Sequence, residues 1–324
     1  MSDFSPGDTV MTDVVALGEL LIDFTLMGTD ESGYPLMQAH PGGAPANFLA
    51  ALSALGAATS LIGMTGTDVF GGLLRQTLKD AGIGTDALIQ TPDYFTTLAF
   101  VTLDKNGNRE FSFARKPGAD TGITKSGIPA ALIDDTRVFH FGTLSLTHDP
   151  AKSATEFAVE YAKAAGKIIS FDPNLRPPLW SDLSRARNAM LWGLGKADIV
   201  KISDNECDFL FPETDYREAA DILTGDFGVK LVYITLGSSG CIFSNGIHKG
   251  SVPALSDVHP VDTTGAGDIF GGSAMFRFLQ TGKVPGELSM EELEDISSFA
   301  CRAAGLSTEI PGGIPAALKL KELM

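Results

Sequence analysis

Asp262-Thr263-Thr264-Gly265-Ala266-Gly267-Asp268, continuing into Ile269-Phe270-Gly271-Gly272, is a glycine-rich turn that runs straight into a helix. Glycine and alanine let backbone N–H groups converge on one point with no side chain in the way. The helix start adds further N–H donors and a partial positive charge. Such an anion hole suits a transferring phosphoryl group, whose charge is spread over several oxygens. Asp268 falls in the first turn, where the helix dipole favours an ionised carboxylate. It is placed to accept a proton from a hydroxyl approaching the phosphate. The plain alternative is a capping aspartate beside a glycine turn. Gly271 and Gly272 weigh against it, because glycines early in a helix cost about 1 kcal/mol each relative to alanine and imply a close backbone approach. The chain contains no GxxxxGK[ST] run, so this is not a P-loop.

The 324 residues are 44% apolar, enough for a large core, and carry a net charge of −16. That acidity argues against a nucleic-acid partner. Cys207, Cys241 and Cys301 form no CxxC pair, so no disulfide framework is expected and a reducing cytoplasmic home is. Neither a signal peptide nor a membrane-spanning run is expected. His40, His140, His148, His248 and His259 show no metal-ligand spacing and read as surface or packing residues.

Residues 1–12 are polar and irregular and are expected to fray. Beyond them, short apolar strands alternate with helical patterns. Strands are expected at Val14–Gly18, Leu61–Gly63, Val138–Phe141, Ile168–Phe171, Ile199–Ile202 and Leu231–Thr235. Helices are expected at Ala46–Leu55, Val69–Ala81 (ending at Gly82), Ala151–Ala165, near Glu206, Asp268–Leu279 and Met290–Ala304. This rhythm predicts an α/β fold with a mostly parallel sheet covered on both faces and ligands at the strands' carboxyl ends. The stretch Thr96–Ala114 breaks the rhythm: Asn106-Gly107 between β-rich arms predicts a hairpin, read as a small β-flap. No linker divides the chain, so residues 1–324 are expected to form one domain. A dinucleotide-binding dehydrogenase is disfavoured, because only Gly18-Glu19-Leu20 follows the first strand and no GxGxxG does.

DTTGAGDIFGG resembles the C-terminal signature of the PfkB, or ribokinase-like, carbohydrate kinases. Gly42-Gly43-Ala44-Pro45-Ala46-Asn47, followed by Gly56 and Gly66, resembles their N-terminal signature, in the family's order and more than 200 residues away. Leu49 departs from the pattern, where the family has a small residue. The resemblance implies a ribokinase-like three-layer sandwich, with a discontinuous β-lid inserted at about 22–40 and 94–116. It implies ATP-dependent phosphorylation of a small sugar, with Asp268 as base and Gly265, Ala266 and Gly267 as anion hole. Asp23, Gly42, Gly43 and Asn47 would hold sugar hydroxyls. Thr235, Gly237 and Gly240, with Ser203 and Thr264, would serve the nucleotide.

Ser203-Asp204-Asn205-Glu206 stands where the family carries N-x-x-E, with serine replacing the asparagine. Glu206 would reach Mg²⁺ through water. Backbone carbonyls of Asp262, Thr264, Ser307, Gly312 and Ala316 would hold K⁺, as in many members. Pairing of lids implies a homodimer through residues 96–115.

Phe171–Trp180 (FDPNLRPPLW) and Phe113–Asp120 (FARKPGAD) resemble bacterial fructokinases within the family. Arg115 and Arg176 would then donate to sugar oxygens or phosphate; otherwise they are surface ion-pair partners. The expected reaction is D-fructose to its 6-phosphate, with 2-keto-3-deoxygluconate, ribose or a nucleoside as alternative acceptors. A sugar-binding regulator that has lost catalysis is the rival of another class, and the intact GAGD argues against it.

Overall fold

The computed structural model describes residues 11–103 and 109–324. The chain begins with β1 (Thr12–Leu17), β2 (Leu21–Thr29), β3 (Pro35–Gly42), α1 (Ala44–Leu55), β4 (Thr59–Gly66) and α2 (Val69–Asp80). Next come β5 (Ile83–Gly84), β6 (Leu88–Thr91), β7 (Leu98–Leu103), β8 (Arg109–Ala114), α3 (Ala130–Asp134), β9 (Thr136–Gly142), α4 (Ala151–Ala164) and β10 (Ile168–Asp172). They are followed by α5 (Leu183–Leu194), β11 (Ile199–Ser203), α6 (Asp204–Leu210), α7 (Tyr216–Gly225), β12 (Leu231–Thr235), β13 (Cys241–Ser244) and β14 (Lys249–Val252). Helices α8 (Ala266–Gln280), α9 (Met290–Ser307), α10 (Gly313–Leu318) and α11 (Leu320–Leu323) close the chain.

The main sheet runs β14-β13-β12-β11-β10-β9-β1-β4-β5, with β6 beside β4. Strands from β12 to β5 pair in parallel; β13 and β14 add an antiparallel edge. Alternation explains the apolar strands: Val14 and Ala16 enter one core, Val15 and Leu17 the other. With α1, α8 and α9 on the first core and α4, α5 and α7 on the second, both strand faces are buried. This is the expected ribokinase-like helix–sheet–helix sandwich.

The hairpin read at Thr96–Ala114 is half of a second sheet, ordered β3-β2-β7-β8. β7 and β8 pair from Leu98 with Ala114, and β2 joins β7 in parallel. The predicted turn at Asn106-Gly107 and most of the expected frayed N-terminus lie outside the described residues, and Thr12 already belongs to β1. Gly82 follows α2 with φ +72°, as the C-terminal glycine pattern requires. Of the two helix glycines, Gly272 does meet a close backbone, that of α1: a Cβ on it would stand 2.4 Å from the Phe48 carbonyl oxygen, whereas one on Gly271 would meet only the Phe48 ring, at 3.4 Å. No helix among the described residues is long and apolar enough to cross a membrane.

Candidate active site

The turn before α8 is shaped by contact. Gly265 is the N-cap of α8 at φ +78° and ψ −3°, with no side chain capping the helix. A Cβ there would come within 2.8 Å of the Gly313 Cα and 3.2 Å of the Asn47 amide. Asp262 braces the turn from below: its Oδ1 accepts the Thr264 N–H (2.9 Å) and hydroxyl (2.7 Å), and its Oδ2 accepts the Gly312 N–H (2.9 Å). Asp268 is the third helical residue, not the cap.

The Asp268 carboxylate is buried and held from two sides. Asn47 Nδ2, from α1, donates to Oδ2 at 2.8 Å, and Asn174 Nδ2, from the loop after β10, donates to Oδ1 at 2.8 Å. Burial raises its pKa; the Lys201 charge, the Asn47 hydrogen bond and the Arg176 charge oppose the rise. Two N–H donors fit an ionised acceptor.

Two cavities meet at this turn. The first, about 120 Å³, is lined by Asp23, Gly43, Asn47, Asn174, Arg176 and Asp268, with Phe111 and Phe113 of β8 above them. The second, about 280 Å³ and largely apolar, is bounded by Thr235, Gly237 and Gly240 on one side and Leu255, Val258 and Ala304 on the other. Thr263 borders both; Gly265 faces the first, and Ala266 and Gly267 the second.

The profile of the pfkB family carbohydrate kinases matches residues 11–319. The chain belongs to that family. It is 38% identical over 309 residues to Fructokinase-2 of Oryza sativa subsp. japonica, covering 94% of this chain and 90% of that protein. A fructokinase from Xylella fastidiosa with bound ATP superposes at a TM-score of 0.86, with 30% identity and coverage of 97% and 99%. A double-mutant fructokinase from Vibrio cholerae O395, bound to fructose, ADP and potassium, superposes at 0.84 with 30% identity and coverage of 97% and 98%. The protein is a sugar kinase, a phosphotransferase with an alcohol group as acceptor.

In this pfkB kinase most of the expected residues gather at the two cavities. Gly42 lies against Asp23: a Cβ on it would stand 2.1 Å from Oδ2. Gly43, at φ +117°, leaves room for the Glu19 carbonyl 2.4 Å from where its Cβ would be. Arg176 lines the first cavity with its guanidinium 5.5 Å from the Phe111 ring centroid.

Arg115 does not line either cavity, and it is not a surface residue. It is buried, with Nε 2.8 Å from Asp120 Oδ2, NH1 2.8 Å from the Thr147 hydroxyl and NH2 2.9 Å from the Leu144 carbonyl. Its donors are consumed behind the wall that Leu144 presents to the first cavity. Ser203 and Glu206 form the capping box of α6 and line neither cavity. Glu206 Oε2 accepts the Ser203 N–H and hydroxyl at 2.8 Å each, and Oε1 accepts the Leu175 N–H at 2.7 Å. Ala316 sits inside α10, its carbonyl accepting the Lys319 N–H at 3.1 Å, and the Gly312 carbonyl accepts the Ala316 N–H at 3.2 Å. The Ser307 carbonyl accepts the Ile310 N–H at 3.2 Å. All three carbonyls thus serve local turns and helix rungs.

Sequence reading missed four residues. Glu19 lines the first cavity; its Oε1 accepts the Ala44 N–H at 3.0 Å, and burial pushes its pKa up to about 7. Asn174 stood inside the quoted FDPNLR but was passed over; its φ of 44° suits asparagine. Asp172 and Lys201 form a buried pair beneath α8, Nζ to Oδ2 3.0 Å. A lysine inside the apolar run Ile199-Val200-Lys201-Ile202 was the available signal.

Proposed function

We propose that this kinase transfers the γ-phosphate of ATP to O6 of D-fructose. The observation that carries the reading is the shared wall: the turn from Thr263 to Asp268 separates a small polar cavity from a larger apolar one. A sugar fits the first and an adenine nucleotide the second, so the transferred group crosses at the turn. The rice relative and the fructose-bound Vibrio structure support fructose as the sugar.

Asp23, the Gly42-Gly43 backbone and Asn47 hold the hydroxyls. Asn47 lines the first cavity, with its Nδ2 committed to Asp268 and its Oδ1 packed against Gly313 with no hydrogen-bond partner among the described residues. Phe111 and Phe113 cover the sugar and exclude water, which would otherwise compete as acceptor. Asp268 takes the O6 proton while O6 bonds to the γ-phosphorus and the bond to the ADP oxygen breaks. The N–H groups of Gly265, Ala266 and Gly267 meet the charge on the phosphoryl oxygens. Arg176 adds a donor for a sugar or phosphate oxygen.

Thr235, Gly237 and Gly240 border the nucleotide, where the apolar lining suits the base. Magnesium, when bound with ATP, neutralises phosphate charge; Glu206 would reach it through a water, with Ser203 fixing the carboxylate. Carbonyls of Asp262, Thr264, Ser307, Gly312 and Ala316 would hold K⁺ beside the turn; those of Ser307, Gly312 and Ala316 each accept one backbone hydrogen bond and keep a second lone pair. A homodimer through the lid fits its surface: β3 and β8 are edge strands, and Leu26, Met27, Tyr34 and Leu36 are exposed on it.

A sugar panel assayed with ATP and Mg²⁺, with and without K⁺, tests this reading, with products identified by mass and NMR. D-fructose is expected to give the highest kcat/KM and a 6-phosphate. A higher kcat/KM for 2-keto-3-deoxygluconate, ribose or a nucleoside, or phosphate on another oxygen, overturns the fructose reading.

A further inference from the structure

Lys201 has no place in either cavity lining, yet it is the one lysine in a central strand of the parallel sheet among the described residues, and it points at the helix that carries Asp268. On β11, Ile199 and Lys201 face the α8 side, and Val200 and Ile202 face the other core. The Lys201 side chain is 11% exposed. Its ammonium lies directly under the first turn of α8, where a Cβ on Gly267 would stand 2.9 Å from Nζ. Asp172, at the end of the neighbouring β10, accepts from Nζ at 3.0 Å.

A buried lysine–aspartate pair adds little stability compared with packed apolar residues of the same volume. The pair therefore calls for another explanation. We propose that Lys201, clamped by Asp172, is a positioning residue: the fixed cation that keeps Asp268 ionised in its buried site. The inference rests on Asp268 being the base.

The charged and titratable groups around this point come from every packed element. Asp172 and Arg176 flank the end of β10, Glu206 comes from α6, His140 from β9, Tyr233 from β12 opposite Lys201, where burial raises its pKa and keeps it neutral, and Asp268 from α8. Burial works against the Lys201 charge, but Asp172, Glu206 and Asp268 together outweigh it and raise its pKa. Asp172 is itself raised by burial. His140 is pushed down to about 3 by burial and by Lys201, so it stays neutral. Its ring stacks on Phe48 at 3.9 Å between centroids. That leaves Lys201 as the strongest influence holding the Asp268 pKa down, ahead of the Asn47 hydrogen bond and Arg176. Gly267 also gains a reason: any side chain there would displace the ammonium.

The test is the pH profile of kcat/KM for Lys201→Met and for Lys201→Met/Asp172→Asn, with folding checked by thermal unfolding. The double variant does not strand Asp172 as a buried carboxylate without its partner, so it remains informative if the single variant does not fold. The expected result is an acid limb moved to higher pH by about one unit, since an opposite charge nearby shifts a carboxyl by 1–3 units. Rates below the limb fall about tenfold, and rates well above it approach those of the parent. A limb that stays in place, with kcat/KM lowered equally at every pH, overturns the inference and leaves the base reading standing. Parent-like turnover of Asp268→Asn overturns the base reading and the inference with it.

Discussion

Asn174 donates its Nδ2 hydrogen to Oδ1 of Asp268 at 2.8 Å, joining two residues that lie 94 positions apart in the chain. This contact and the matching one from Asn47 leave the carboxylate no freedom to rotate. Hydrogen bonds to a charged group contribute about 1.5–3 kcal/mol. Asn174→Ala is expected to lower kcat about ten- to hundredfold and also to lower Tm, because alanine at φ 44° costs about 1 kcal/mol, measured by steady-state kinetics and calorimetry. A variant with parent-like kcat would show that Asn47 alone orients the base.

Asp268→Asn preserves the size of the side chain and removes its capacity to accept a proton. It is expected to keep the fold and sugar binding while lowering kcat about 10²- to 10⁴-fold, the range for a positioned general base. Coupled ATP-consumption assays and sugar-binding calorimetry check both halves. Near-normal turnover removes Asp268 from the base role.

Glu19 makes stability depend on pH in a stated direction. Burial lifts its pKa from 4.5 to about 7, so the folded chain holds this proton more tightly than the unfolded chain does. That contribution is complete below about pH 4.5 and is lost as pH rises through 7, a change on the order of 3 kcal/mol. Glu19→Gln keeps an acceptor for the Ala44 N–H and cannot ionise. Its Tm is expected to fall less than the parent's between about pH 5 and pH 8.5, and to exceed the parent's at the alkaline end. Parallel Tm curves would contradict this.

Arg115 and Arg176 look alike in sequence and should behave differently. Arg115→Met strands Asp120 in the interior and is expected to cost about 3–5 kcal/mol of stability, seen as a lower Tm with KM for sugar nearly unchanged where the variant folds. Arg176→Met is expected to leave Tm nearly constant and to reduce kcat/KM about tenfold or more, as a lost charged hydrogen bond does. Equal effects on Tm would show that both arginines are structural.

Much of the fold was legible because the strands are buried on both faces. Val14–Leu17 and Leu231–Thr235 read as short apolar runs, and helical periodicity filled the gaps between them. The lid was less legible: β7 and β8 announced a hairpin, but their parallel pairing with β2 joins segments over 70 residues apart, and no local pattern records that. Among the site residues, Asp268 and its glycines stood out because a turn entering a helix is local chemistry. Arg115 was misread because a guanidinium's destination depends on which carboxylate the fold brings near; Asp120, five residues on, reached it first.

The amino-acid sequence by itself determined the alternation of strand and helix, the glycine turn and the position of Asp268 on it, because each depends on neighbours within a few residues. Only the tertiary structure decided that Asn47 and Asn174 converge on that carboxylate, from α1 and from the loop after β10, and that Lys201 lies beneath the helix turn that carries it. It also decided that the turn stands between two cavities. Convergence of this kind is set by strand order and helix packing, and sheet neighbours such as β10 and β11 place Asp172 beside Lys201 across a separation that local spacing cannot encode.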